Sequence, residues 1–236
     1  MRATVCLPTY NERENLERMV HALGKHGVRV LVIDDNSPDG TGEIADRLAA
    51  ELDFVDVLHR PRKEGIGPAY LAGFRRALAD GADLVLELDC DFSHDPEDVP
   101  RLIAAAEEGA DLVLGSRYVR GGAIGDWTLA RRIVSRCGSL YAQLLLQTRV
   151  RDLTGGFKCY RRAVLEAIDL DAVRSKGYAF QIETTYRALR LGFRVIEVPI
   201  RFVDRELGGT KMSRAIVAEA VWKVPLLRAA ALLGRL

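Results

Sequence analysis

Short runs of Val, Ile and Leu recur through the first half of the chain, each separated from the next by a stretch with helical spacing of its apolar residues. The runs at 4–7, 28–33, 55–58, 84–88 and 112–114 predict strands, and the segments at 14–25, 41–52, 68–79 and 96–108 predict helices. Strands that are apolar along their whole length must be covered on both faces, and strands joined through helices run parallel. The pattern therefore restricts this half to an α/β doubly wound core, a mostly parallel sheet with helices on both faces. In such sheets ligands bind beyond the carboxyl ends of the strands, so the residues that follow each strand are the place to look for chemistry.

Beyond Ser116 the pattern changes. A glycine-rich loop (Gly121, Gly122, Gly125) precedes a helix expected over 129–147, followed by the turn-rich Asp152-Leu153-Thr154-Gly155-Gly156, a helix over 180–191, a strand over 194–199 and a helix from about Lys211. No internal repeat or low-complexity linker interrupts the 236 residues, so one domain is expected. A hydrophobic content of 48% with 28% charged residues excludes disordered, collagen-like and coiled-coil chains. The formal charge of +1 conceals a division: residues 1–114 hold 12 basic and 23 acidic side chains, a net −11, and residues 115–236 hold 22 and 10, a net +12.

Cys6, Cys90, Cys137 and Cys159 form no CxxC pair and no metal-ligand spacing, and are expected as reduced thiols. The amino terminus runs straight into a strand pattern without the apolar core of a signal peptide, which predicts a cytoplasmic location. The most apolar long stretch, 215–236, is interrupted by Glu219, Lys223, Pro225 and Arg228, so no bilayer-spanning helix is expected.

Three strand ends carry the polar residues. The first, Pro8-Thr9-Tyr10-Asn11-Glu12, lacks the GxGxxG of a dinucleotide fold. Gly65-Ile66-Gly67-Pro68-Ala69-Tyr70 lacks the third glycine and reads equally as a phosphate contact or as a tight turn with Pro68 at the first helical position. The second strand ends in Asp34-Asp35-Asn36-Ser37-Pro38-Asp39-Gly40. Asp35 suits recognition of a ribose hydroxyl or base N–H, whereas Asp39 serves such a contact or caps the next helix. The fourth ends in Asp89-Cys90-Asp91-Phe92-Ser93-His94-Asp95. Residues i and i+2 on extended chain point the same way, so Asp89 and Asp91 can share one divalent cation. Hard oxygen ligands suit Mg²⁺ or Mn²⁺, with phosphates and waters filling the other positions. His94 is read as a supporting or capping residue.

Taken together, PTYNERENL (8–16), VIDDNSPDGT (32–41), LDCDFSHDPE (88–97), LGSRYVRGG (114–122) and GGFKCYRR (155–162) resemble glycosyltransferase family 2, specifically the dolichol-phosphate (polyprenol-phosphate) mannosyltransferases. The resemblance implies a glycosyltransferase A fold with a Rossmann-like nucleotide-binding half, a GDP-mannose donor, a polyprenyl phosphate acceptor and Mg²⁺ or Mn²⁺. The single catalytic domain, 1–236, would divide into a nucleotide-binding half (1–114), an acceptor half (115–210) and a C-terminal amphipathic helix (211–236). Residue by residue, it places Pro8, Tyr10, Glu12, Ile33 and Asp35 around the nucleotide, Asp89 and Asp91 on the metal with the Cys90 backbone beside the donor, and Ser93 at the third metal position, where several relatives carry Gln. Arg117, Arg131 and Ser135 match positions that hold the acceptor phosphate. Arg205 and Lys211 match loop residues that reach the donor diphosphate, and the intervening Gly208-Gly209-Thr210 suggests a loop able to close.

A polyprenyl phosphate resides in a bilayer. Some relatives append transmembrane helices and others use a membrane-anchoring partner subunit. Here 129–150 and 215–236 combine Arg or Lys with Leu and Trp in the manner of interfacial helices, which predicts peripheral attachment to the cytoplasmic face of a membrane. A nucleic-acid partner is not expected, since aromatic residues make up 7% of the chain and no recognised module is present.

Overall fold

The computed structural model describes residues 1–125, 127–203, 214–234 and 236. In chain order the elements are β1 (Ala3–Thr9), α1 (Leu16–Gly24), β2 (Arg29–Asp34), α2 (Thr41–Glu51), β3 (Val55–His59), α3 (Ile66–Ala79) and β4 (Leu84–Glu87). A 3-10 turn, Pro96–Asp98, leads into α4 (Val99–Glu107), then β5 (Leu112–Ser116), β6 (Ala123–Ile124), α5 (Leu129–Leu146), β7 (Lys158–Arg161) and α6 (Arg162–Ala167). The last four are α7 (Tyr178–Arg190), β8 (Val195–Pro199), β9 (Arg201–Phe202) and α8 (Arg214–Leu232).

Seven strands form the central sheet in the order β3-β2-β1-β4-β7-β5-β8, and β6 pairs with β9 apart from it. All neighbours run parallel except at β7, which is antiparallel to both β4 and β5. Lys-Cys-Tyr-Arg has neither an apolar run nor clean alternation, so no sequence signal marks this strand. Its insertion joins the early and late parts of the chain in one sheet. The expected α/β architecture with a mostly parallel, doubly covered sheet is the one observed.

Alternation along each strand explains the two helical layers. Cys6, Leu31, Ile33, Val85, Leu112 and Tyr160 point to one face, where α3, α5, α6, α7 and α8 contribute Tyr70, Phe74, Ala142, Val164, Phe180 and Val224. Val5, Leu7, Val30, Val32, Leu86, Val113 and Cys159 point to the other, covered by Leu16, Met19 and Leu23 of α1, Leu48 of α2 and Leu102 of α4. Cys6, Cys90 and Cys159 are buried free thiols and Cys137 is an exposed one.

Two of the boundaries that differ from expectation do so near a proline. The predicted helix over 96–108 opens as a 3-10 turn because the Asp95 side chain accepts the Glu97 N–H. Helix α3 starts two residues before Pro68, so that proline is third in the helix rather than first. Among the described residues, no helix is long and apolar enough to cross a membrane.

Candidate active site

The carboxyl ends of β1, β2 and β4 open onto one cavity of about 490 Å³, a volume suited to a small organic ligand. Pro8, Tyr10, Glu12, Asp35, Asp89, Cys90, Asp91, Ser93, Arg117 and Arg131 all line it. Each strand end leaves the sheet through a left-handed residue: Asn11 at φ 56°, Asn36 at φ 57° and Phe92 at φ 57°. Asn tolerates that conformation, whereas a bulky residue carries about 1–2 kcal/mol of strain there. The strain at Phe92 is held between Asp91 and Ser93, where the Ser93 N–H donates to Asp91 Oδ1 at 3.0 Å and the Val203 N–H to the Ser93 carbonyl at 3.1 Å. Strain retained at such a turn is characteristic of functional sites.

At the β1 and β2 end of the cavity, Lys63 Nζ lies 3.9 Å from the Tyr10 ring centroid. Asp35 pairs with Arg60, whose other amino group donates to Glu64 at 3.0 Å. Burial pushes the Asp35 carboxyl up, and Arg60 opposes it. The neighbouring acids do structural work. Asp34 accepts the Ser37 hydroxyl at 2.6 Å and its N–H at 3.2 Å. Asp39 accepts the Thr41 hydroxyl at 2.6 Å and N–H at 3.0 Å, so of its two readings the helix-start turn is the one that holds.

Asp89 and Asp91 present hard carboxylate oxygens to the cavity, and Ser93 lies beside them. Among the described residues no third His, Cys, Asp or Glu joins them. Two protein carboxylates, with phosphate and water oxygens completing the shell, is the usual way Mg²⁺ or Mn²⁺ is held with a diphosphate, so the donor set fits such an ion. His94 is buried between Phe157 and Phe202, with ring centroids 5.3 and 5.0 Å away, and among the described residues its Nδ1 has no hydrogen-bond partner. Burial holds its imidazole down at about 4.

Three expected site residues have other duties. Ile33 is fully buried in the core and does not line the cavity. Arg117 lines it, but Nε and Nη2 donate to Asp152 at 2.7 and 2.6 Å, and Nη2 also to Thr154 at 3.0 Å. Asp152 is wholly buried; burial raises its carboxyl, but the Arg117 guanidinium outweighs this and holds it below the usual range. Ser135 lies one turn beyond Arg131 on α5, off the cavity wall, and accepts the Tyr118 hydroxyl at 2.7 Å. Arg131 packs over Trp127 with its guanidinium 4.1 Å from the ring centroid. Arg205, Lys211 and the Gly208-Gly209-Thr210 turn lie outside the described residues.

The structure adds Lys63, Trp127, Thr154, Lys176, Tyr178, Gln181, Phe202 and Glu219 to the wall. Lys63 was open to the strand-end rule, because it follows β3 at the same edge. Gln181 and Glu219 sit in helices with no motif and are brought in only by packing. Gly155 has a spatial reason, since a Cβ there would lie a tight 3.3 Å from the Gly115 carbonyl, whereas one on Gly156 would make ordinary contacts with Gln181 Nε2 at 3.4 Å and Asp89 Oδ2 at 3.9 Å. Beneath the cavity, buried Lys158 stands opposite Glu87 and donates to the Gln181 carbonyl at 2.8 Å. Burial pulls the Lys158 ammonium down to about 8.

Comparisons with known proteins bear on the family and the fold. The chain is 51% identical over 228 residues to the polyprenol monophosphomannose synthase of Mycolicibacterium smegmatis, covering 94% of this chain and 85% of that one. It is equally 51% identical over 228 residues to the undecaprenyl-phosphate mannosyltransferase of Micrococcus luteus, covering 95% and 93%. Among solved structures, glucosyl-3-phosphoglycerate synthase from Mycobacterium tuberculosis superposes with a TM-score of 0.72 at 20% identity, over 97% of this chain and 80% of that one. A mannosyltransferase from Pyrobaculum calidifontis in complex with GDP-Man and Mn²⁺ superposes with a TM-score of 0.59 at 17% identity, over 99% and 74%. These two likenesses show the shared glycosyltransferase architecture. The family model described as Glycosyl transferase family 2 matches residues 4–169, the span that contains all three acidic strand ends. With that span matched and two relatives half-identical along nearly the whole chain, the protein belongs to glycosyltransferase family 2.

Proposed function

We propose that the protein transfers mannose from GDP-mannose to a polyprenyl (dolichyl-type) phosphate, with inversion, giving the β-linked polyprenyl phosphate mannose. The observation that carries this reading is the 51% identity, over nearly full length, to two enzymes named for mannosyl transfer to polyprenyl phosphates. The cavity supports it, since acidic strand ends and basic residues meet in one wall.

Tyr10, Lys63 and Asp35 would receive the base and ribose. Asp89 and Asp91 would hold Mg²⁺ or Mn²⁺, with Ser93 adjacent. When bound, such an ion neutralises charge developing on the departing diphosphate. Arg205 and Lys211 would add cationic stabilisation to the same leaving group. Arg131 and Arg117, the latter tied to Asp152, would face the lipid phosphate. That phosphate has a second pKa near 6, so at neutral pH it is mostly a dianion and needs no general base.

For the acceptor's bilayer, α5 exposes Leu129, Ile133, Val134, Leu140 and Leu144, and α8 exposes Val221, Trp222, Leu226 and Leu232, with Leu233 exposed just after it. Both helices carry arginines, and these two surfaces would attach the protein peripherally to the cytoplasmic face of the membrane. The deciding experiment incubates the protein with labelled GDP-mannose, GDP-glucose or UDP-glucose and polyprenyl phosphate, with and without chelator. A chelator-sensitive lipid product from GDP-mannose is expected. Product from UDP-glucose alone would change the sugar, and nucleotide-sugar binding without product would make the chain a binding subunit.

A further inference from the structure

Tyr70 is fully buried on the first turns of α3, and its hydroxyl donates to Asp89 Oδ1 at 3.2 Å. The ring is held in an aromatic stack: Phe180 lies 6.0 Å away at 5°, Phe74 lies 6.0 Å away at 28°, and Tyr160 packs on Phe74 at 5.4 Å. A phenylalanine would fill this space without bringing a hydroxyl into an apolar layer, where a polar group without a partner is costly. The polar atom at this position therefore has one evident purpose, the Asp89 carboxylate.

The chain is shaped to bring it there. The Gly65-Ile66-Gly67-Pro68 run, whose Gly65 and Ile66 line the cavity, also seats α3. A Cβ on Gly67 would come within 2.6 Å of the Ser175 carbonyl, and the Gly67 N–H donates to the Lys176 carbonyl at 3.0 Å. Two turns along, a Cβ on Gly73 would meet Ile33 Cδ1 at 2.4 Å and Cys6 Sγ at 3.1 Å, so the helix lies directly on the sheet. Ile33 thus acts as the floor under α3 rather than as a nucleotide contact.

We infer that Tyr70 is a positioning residue for the candidate metal ligand Asp89: its hydroxyl fixes the carboxylate orientation in which Asp89 and Asp91 face a divalent cation together. Hydrogen bonds to ligating carboxylates set ligand orientation in this way, and losing one typically weakens metal binding about 10–100-fold. The inference rests on the metal-dependent reading above.

The test measures Mn²⁺ binding to the full chain by electron paramagnetic resonance, with and without GDP, alongside thermal unfolding. In Tyr70→Phe the Mn²⁺ Kd is expected to rise about tenfold or more, and activity lost at low Mn²⁺ is expected to return at saturating Mn²⁺. Phe180→Leu, which disturbs the stack but keeps the hydroxyl, is expected to lower Tm and leave the Mn²⁺ Kd unchanged. An unchanged Kd in Tyr70→Phe, an equal Kd change in both variants, or a loss that saturating Mn²⁺ does not restore would overturn the inference. Failure of the wild-type chain to bind Mn²⁺ even with GDP would instead overturn the metal reading on which it rests.

Discussion

Asp152 has no exposed surface, and its two oxygens are taken up by the Arg117 guanidinium and backbone N–H. Removing one partner of a buried pair leaves the other charge uncompensated, which costs about 3–5 kcal/mol. Asp152→Asn is therefore expected to be destabilised by about that amount in urea titrations. The pH dependence has a definite sign. The folded-state carboxyl of Asp152 lies below its ordinary value, so as pH falls the unfolded chain takes up the proton first. The pair's contribution is full above about pH 4 and is lost as pH drops through the lower folded value. Asp152→Asn should accordingly show a shallower acid arm than wild type when stability is measured across that range. Asp91 behaves differently because it serves the cavity. Asp91→Asn is expected to lower turnover about 10²–10³-fold, the scale of losing one charge-stabilising group, without lowering the unfolding midpoint. A parallel fall in midpoint would assign Asp91 to the fold instead. Legibility differs in the same way: the Asp89–Asp91 spacing is a local fact, whereas the Arg117–Asp152 pair spans 35 residues and left Arg117 looking like an uncommitted phosphate contact.

At the scale of elements, helix α3 and helix α8 make contrasting predictions. The close seat of α3 leaves no room for one more methyl group at Gly67, where the nearest atom is a backbone carbonyl that cannot rotate away. Overpacking of this kind costs about 1–3 kcal/mol, so Gly67→Ala is expected to lose that much in denaturant midpoint analysis. Helix α8 buries Val224, Leu227 and Ala231 against α5 and α7 and exposes Trp222 at 75% and Leu226 at 62%. Deleting it would strip the core, so charge substitution is the cleaner probe. Trp222→Glu with Leu226→Glu is expected to retain wild-type Tm and lose co-sedimentation with anionic liposomes; retained co-sedimentation would dismiss α8 as a membrane contact. The elements that periodicity revealed were the long ones. Strand β7 escaped because Lys158 and Arg161 are polar at positions where a central strand is normally apolar, and Lys158 finds its hydrogen-bond acceptors in the Gln181 carbonyl and Thr184 hydroxyl of α7.

For the whole molecule, the division of charge between the −11 and +12 stretches of sequence becomes a division of surroundings within one site. Acidic strand ends line one part of the cavity, while Arg131 and the exposed Arg132 and Arg136 belong to α5, which also shows apolar residues to solvent. Attraction between exposed arginines and anionic headgroups is screened once the Debye length shrinks from about 10 Å at 0.1 M salt to about 3 Å at 1 M. Binding to anionic vesicles should weaken steeply over that range, and binding to neutral vesicles should be weaker throughout and insensitive to salt. Equal, salt-independent binding to both would make the attachment purely apolar.

The sequence by itself determined the fold class and the position of the acidic strand ends, because strand and helix periods and i, i+2 spacing are properties of neighbouring residues. Tertiary structure decided which of those acids meet. It turned Asp34 and Asp39 to backbone capping and left Asp35, Asp89 and Asp91 facing the cavity. It neutralised Arg117 with a residue from a distant turn, inserted an antiparallel strand between β4 and β5, and laid α3 close enough for Tyr70 to reach Asp89. Each of these depends on which surfaces pack together, and pairing between segments far apart in the chain leaves no periodic trace within either one.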